Sequence, residues 1–196
     1  MTMGIIVLAA ALVFLAMTPV KPHAGLISFI ILLFLRPNDL IPAVAAVPFV
    51  KMALGVTLLS VVLHWSRYQV IFLQLPHIKA LLCFLMAMVA SVPFSFWPGA
   101  SFQTSVDFLK VVLLYFLIIN LLTSPREVNQ FLWAMLICAC VLAVSAVRRY
   151  FAGEFEMAGI RIAGLVGGSF GDPNDLALSF VMLIPLAYFM SGASQS

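Results

Sequence analysis

Residues 129–151 read NQFLWAMLICACVLAVSAVRRYF. Between Phe131 and Val147 every side chain but Ser145 is apolar, and the run ends on Arg148 and Arg149. A helix over this stretch would be about 34 Å long at 1.5 Å per residue, enough for the roughly 30 Å hydrocarbon core of a bilayer. A helix of a soluble protein keeps a polar face for water, and no such face can be drawn through these residues. The stretch reads as a membrane-spanning helix with its two arginines at headgroup level.

Working outward, six further runs share this character: 4–20, 24–36, 44–64, 78–96, 106–123 and 174–192. The second is short and bracketed by Pro22 and Pro37, so it is expected to tilt little, stay half-inserted, or pair with the first as a hairpin. Composition agrees with the runs. The chain is 64% hydrophobic and only 9% charged, against about 45–50% and 25% for soluble domains. A soluble chain of this kind would lack the polar side chains to cover its surface. The expected fold class is all-α, a polytopic transmembrane helical bundle of about seven spans in lipid.

Prolines mark the breaks. Pro37, Pro42, Pro76, Pro98, Pro125 and Pro173 fall at or near predicted helix boundaries, where a missing N–H costs least. Ser124-Pro125-Arg126-Glu127 has the layout of an N-cap, an N1 proline and a capping-box acid, and Asp172-Pro173-Asn174-Asp175 repeats it. Pro48, Pro93 and Pro185 lie within apolar runs and are expected to kink them. The tetrapeptide Pro-Asn-Asp-Leu occurs at 37–40 and again at 173–176. Its flanks show no further similarity, so common helix-start chemistry accounts for it better than an internal repeat.

Several function classes are excluded early. The net charge of +3 comes with no basic run, so no nucleic-acid partner is implied. Cys83, Cys138 and Cys140 sit in apolar runs with no metal or disulfide spacing. Residues 1–4 carry no Lys or Arg and the first cation, Lys21, follows the first run, so that run reads as a retained helix and not a cleaved leader. The loops after the first, third and fifth runs hold Lys21, Arg67, Lys79 and Arg126; the others hold Arg36, Arg148, Arg149 and Arg161. The totals tie. The first set is spread over every loop, whereas three of the second crowd one segment, so the first set is assigned to the cytoplasm and the 152–173 loop to the periplasm.

That loop carries the most information. Six of the eleven glycines fall between Gly153 and Gly171, a density that lets backbone turn freely and approach a ligand closely. It leads into a helix N-terminus, which favours anions, and Arg161 adds a guanidinium suited to phosphate. One reading is a phosphate or pyrophosphate site. The other is a flexible loop before an ordinarily capped helix, favoured by Asp172 and Asp175, which would repel an anion there.

The stretch Arg161-Ile-Ala-Gly-Leu-Val-Gly-Gly-Ser-Phe-Gly-Asp-Pro-Asn-Asp-Leu-Ala-Leu178, followed by Met182 and Pro185, resembles the signature of the O-antigen ligase/polymerase superfamily. Gly25, Arg36-Pro37-Asn38-Asp39-Leu40, Pro48-Phe49, the fifth run with Lys110 and the Pro-Arg-Glu turn at 125–127 resemble one branch, the exosortase-associated O-glycosylation ligases. The likeness runs along nearly all 196 residues, and its specific part is 161–178. It implies a GT-C-like, metal-independent inner-membrane glycosyltransferase that needs no cofactor. Such an enzyme moves a glycan from a polyprenyl-pyrophosphate carrier to a glycan acceptor at the periplasmic face. Arg161 would take the catalytic, pyrophosphate-neutralising role. Gly167, Gly168, Asp172 and Asn174 would shape the binding loop. Residues 1–196 would be the N-terminal part of a longer multi-span domain, and His23, His64 and His77 match none of the family's catalytic positions.

Three charges fall in or beside apolar runs, where each needs a partner or water. Asp107 and Lys110 are three residues apart and can pair on one helix face. Lys51 has no acid nearby in sequence and stays open to two readings: a substrate-facing cation, or a residue that reaches the surface from a late helix start. Trp65, Trp97, Trp133, Tyr68 and Tyr150 cluster toward run ends as interfacial aromatics do. The competing function classes are a secondary transporter or flippase for an anionic lipid, using Lys51, Lys110 and Arg161, and a non-catalytic scaffold.

Overall fold

The computed structural model of the chain describes residues 2–64, 76–155, 164–167 and 170–193. Among these residues the chain is helical, with no strand. It comprises α1 (Thr2–Met17), α2 (Pro22–Leu35), a one-turn α3 (Pro37–Leu40), α4 (Phe49–Leu63), α5 (Pro76–Ser91), α6 (Pro98–Leu121), α7 (Pro125–Ala152) and α8 (Pro173–Ala193). Short 3-10 turns follow α3 at Pro42–Val44 and α5 at Val92–Phe94.

Four helices are long and apolar enough to cross a bilayer: α5 with its 3-10 extension, α6, α7 and α8. These make the chain a multi-pass, all-helical membrane protein. Helices α1, α2 and α4 are equally apolar but have 16, 14 and 15 residues, about 21–24 Å of helix.

The proline reading holds at most boundaries, since α2, α3, α5, α6, α7 and α8 all open on a proline. At α7 the capping box forms in full: Ser124 Oγ accepts the Glu127 N–H at 3.3 Å, and Glu127 Oε2 accepts the Ser124 N–H at 3.0 Å. At α8 the Asn174 N–H donates to Asp172 Oδ1 at 2.7 Å. Two expected kinks are corrected. Pro48 is the N-cap in front of α4, where its missing N–H costs nothing, and Pro93 lies in the 3-10 turn after α5, where proline lacks the N–H that a continuing helix needs. Pro185 does lie inside α8.

Helix α6 starts eight residues before the apolar run predicted at 106. Its polar first turns are accommodated in the helix with their hydroxyls satisfied: Thr104 Oγ1 donates to the Ala100 carbonyl and Ser105 Oγ to that of Ser101, at 3.0 and 2.9 Å.

The core centres on the shortest of the apolar helices. Eleven of the fourteen residues of α2 are buried, and it packs against α1, α4, α6 and α7. The expected hairpin with α1 forms, and α2 is also the hub of the bundle. Small residues permit this closeness. A methyl group on Gly25 would stand 2.3 Å from Thr57 Oγ1 on α4 and 2.8 Å from Thr18 Cγ2 at the end of α1. Hydroxyls then bridge the three helices, Ser28 Oγ donating to the Ala11 carbonyl at 2.9 Å and Ser60 Oγ to the Thr18 carbonyl at 3.0 Å. Small side chains and interhelical hydrogen bonds are how helices associate where lipid removes the hydrophobic drive.

By contrast α5 and α8 are almost wholly exposed. Phe84, Met86, Val181, Met182, Ile184, Tyr188 and Phe189 lie open. Lipid is the solvent that suits them.

Candidate functional site

The last residues of α2 and the glycine-rich loop come together at one end of the bundle, although about 130 residues separate them in sequence. Helix α2 ends at Leu35 because Pro37 both lacks an N–H and disfavours helical backbone in the residue before it. Arg36 escapes into the left-handed region at φ 33°, a conformation that costs a non-glycine residue about 1–2 kcal/mol. The turn brings its guanidinium to 3.6 Å from Asp39. Asn38 fastens the following segment by donating from its side-chain amide to the Ala45 carbonyl at 3.2 Å and to the Val47 carbonyl.

Asp39 reaches across to the loop. Its Oδ2 accepts the backbone N–H of Gly167 at 2.8 Å, and Phe34 packs its ring on Phe170 with centroids 4.8 Å apart. A second tether comes from α7, where Arg149 donates from Nη1 to the Gly164 carbonyl at 3.0 Å and from Nε to Glu154 at 3.1 Å. The loop closes on itself through the Gly164 N–H, which donates to the Gly171 carbonyl at 3.3 Å. Gly164 must be glycine, because a Cβ there would lie 1.7 Å from the Phe170 carbonyl oxygen. The described part of the loop is therefore held at both ends, with Val166 and Phe170 in the core beside Leu176 of α8.

The expected site residues fall out as follows. Gly167 is exposed and bonded to Asp39. Asp172 caps α8, and Asn174 sits exposed in its first turn. Arg161 and Gly168 lie outside the described residues, as do Trp65 and Tyr68. Lys51 is exposed in the first turn of α4, which begins at Phe49. The late helix start is observed, and the Lys51 charge is also within electrostatic reach of Asp107. Asp107 pairs with Lys110 on α6, as the spacing predicts, and accepts a further hydrogen bond from Gln103 at 3.4 Å.

The histidines do separate work. His23 stands 3.4 Å from Glu127, and the Nδ1 of His64 lies 2.9 Å from the Ser60 carbonyl oxygen. Among the described residues no three His, Cys, Asp or Glu side chains are placed to hold a metal.

Sequence reasoning passed over Arg36, Asp39 and Arg149 as loop-holding residues. The doubled Pro-Asn-Asp-Leu was the available signal. Its two copies meet at the same end of the molecule, but they differ in use: Asp39 serves the loop, whereas the second copy lies in the first turn of α8 behind its cap, Asp172.

Two depressions flank α7. The one nearest the loop has a volume of about 910 Å³ and runs from Trp133 and Ile137 past Cys140 and Val144 to Arg148 and Leu165. The other, of about 520 Å³, also touches Trp133 and Ile137 and reaches Lys21 and His23 at the other end of the bundle. Compared with protein-family models, with curated proteins and with solved structures, the chain matches none.

Proposed function

We propose that the chain is part of an integral membrane glycan transferase or ligase of the O-antigen ligase type. In this reading it moves a glycan from a polyprenyl-pyrophosphate carrier to an acceptor at the periplasmic face of the inner membrane. All seven apolar helices are read as spans in a GT-C-like arrangement, the three short ones reaching both surfaces through their flanking turns. Arg161 takes the charge that develops on the departing pyrophosphate. Gly167 and Gly168 allow close backbone approach, while Asp172 and Asn174 fix the loop at the start of α8. Lys51 offers a further cation toward the anionic carrier.

One observation carries the proposal beyond the resemblance in sequence: the glycine-rich segment is anchored, by Arg149 at Gly164 and by Asp39 at Gly167. A site beside this loop needs its backbone frame held in place before the ligand arrives, since ordering it on binding would consume the affinity gained; the Gly164 and Gly167 N–H groups themselves are taken by the Gly171 carbonyl and by Asp39. A loose tether would not serve, and at Gly164 and Gly167 the loop is held.

A second reading, a flippase or secondary transporter for an anionic lipid, draws support from the two depressions along α7, one holding Arg148 and the other Lys21. The two readings diverge in one experiment. In the complete protein in its own host, Arg161→Ala should abolish acceptor-linked glycan and leave lipid-linked glycan accumulating on the periplasmic side, with protein level in the membrane unchanged. Arg161→Lys should restore little, because a point charge does not replace a planar two-pronged donor. Lipid-linked glycan stranded on the cytoplasmic side would favour the flippase. Full transfer by the alanine variant would remove Arg161 from the chemistry.

A further inference from the structure

The depression beside the C-terminal half of α7 combines an apolar wall with a cationic end. Its wall is apolar and open to the membrane, with Trp133, Ile137 and Val144 all exposed. Its loop-side end is cationic. The two arginines there are not equivalent: Arg149 is committed to Glu154 and to the Gly164 carbonyl. Arg148 is exposed and has no ion pair or hydrogen bond among the described residues. Tyr150 packs edge-on to Phe151 and Phe155, at centroid distances of 5.6 and 5.8 Å, and such aromatic groups gather at headgroup level.

From Trp133 to Arg148 is fifteen residues of helix, about 22 Å. That is longer than the roughly 15 Å that one leaflet contributes to the hydrocarbon core, so an acyl chain that starts at Arg148 need cover only part of this wall. The volume of about 910 Å³ lies within the range of small-molecule sites, about 300–1,000 Å³. A hydrocarbon chain can lie along the apolar wall while a phosphate meets the free guanidinium, which offers a bidentate fork.

We propose that this groove is a binding site for an anionic glycerophospholipid, with the headgroup phosphate on Arg148 and an acyl chain running along α7 toward Trp133. The proposal does not depend on the transfer reaction. A bound lipid here would pack against Gly164 and Leu165 and so buttress the loop from the membrane side.

The test is native mass spectrometry of the full chain released from detergent, titrated with phosphatidylglycerol, with phosphatidylcholine of the same chains, and with glycerol phosphate. Phosphatidylglycerol should bind at least tenfold more tightly than either of the others. Arg148→Gln should weaken it about tenfold or more, the worth of a hydrogen bond to a charged group. Arg126→Gln, which removes an exposed cation at the far end of α7, should leave it unchanged. Val144→Trp, which fills the groove and keeps the charge, should weaken binding as well. A local readout comes from Cys140 on the groove wall: in a Cys83→Ser background, phosphatidylglycerol should slow its labelling by a small apolar maleimide. Equal losses for Arg148→Gln and Arg126→Gln would overturn the proposal as general charge attraction. Equal binding of phosphatidylcholine or of glycerol phosphate would overturn it as well, as would unprotected Cys140.

Discussion

The carboxylate of Asp39 accepts the Gly167 N–H and faces the Arg36 guanidinium 3.6 Å away, so one side chain joins the end of α2 to the loop. Both partners of the ion pair are more than a third exposed, and an ion pair so placed contributes little by itself. The hydrogen bond to backbone is the larger contribution, about 1–2 kcal/mol. Asp39→Ala should therefore speed hydrogen exchange at the Gly167 amide about five- to thirtyfold, whereas Asp39→Asn should largely preserve protection because its amide oxygen still accepts. Equal exchange in all three proteins would show that Asp39 does not hold the loop. Gly164→Ala should disturb the same region more severely, since the new methyl would displace the backbone at Phe170. None of this could be read from sequence. Spacing along the chain identifies capping boxes and i,i+3 pairs such as Asp107 and Lys110, but the Asp39–Gly167 bond joins positions 128 apart and is visible only once the helices have packed.

At the scale of single helices, composition gave dependable guidance on starts and poor guidance on lengths. Proline opens six of the helices, and the Ser124–Glu127 box forms as its residues predict. Hydropathy alone placed the start of α6 too late, because Thr104 and Ser105 look like loop residues until their hydroxyls are seen bonded to carbonyls one turn back. It placed the start of α4 too early, because Ala45, Ala46 and Val47 are apolar without being helical. The three-helix contact of α1, α2 and α4 is the element most exposed to mutation. Gly25→Val should force α2 away from Thr18 and Thr57 and lower the unfolding midpoint in detergent by several degrees. Ser28→Ala removes a single interhelical hydrogen bond and should cost only about 0.6 kcal/mol, the average for such bonds in membranes. A loss for Ser28→Ala as large as that for Gly25→Val would mean that hydrogen bonding and not close approach holds these helices.

Across the whole molecule the seven apolar runs were evident from sequence, and their places in the bundle were not. Lipid-facing and core-facing helices are equally apolar in a bilayer, so hydropathy cannot say that α2 is the hub while α5 and α8 are rim. A membrane-dissolved photoreactive probe makes the distinction directly. It should label α5 and α8 heavily and α2 sparsely, and comparable labelling of α2 would contradict this packing.

The brevity of α2 has a last consequence. Its fourteen residues cover about 21 Å, some 9 Å less than the hydrocarbon thickness. If α2 spans, as proposed above, then however that deficit is divided between its ends, water and headgroups dip toward the middle of the bundle to meet them. Arg36 and Asp39, sitting at one of those ends, would then line the floor of a shallow wet basin, below the level of the surrounding membrane surface.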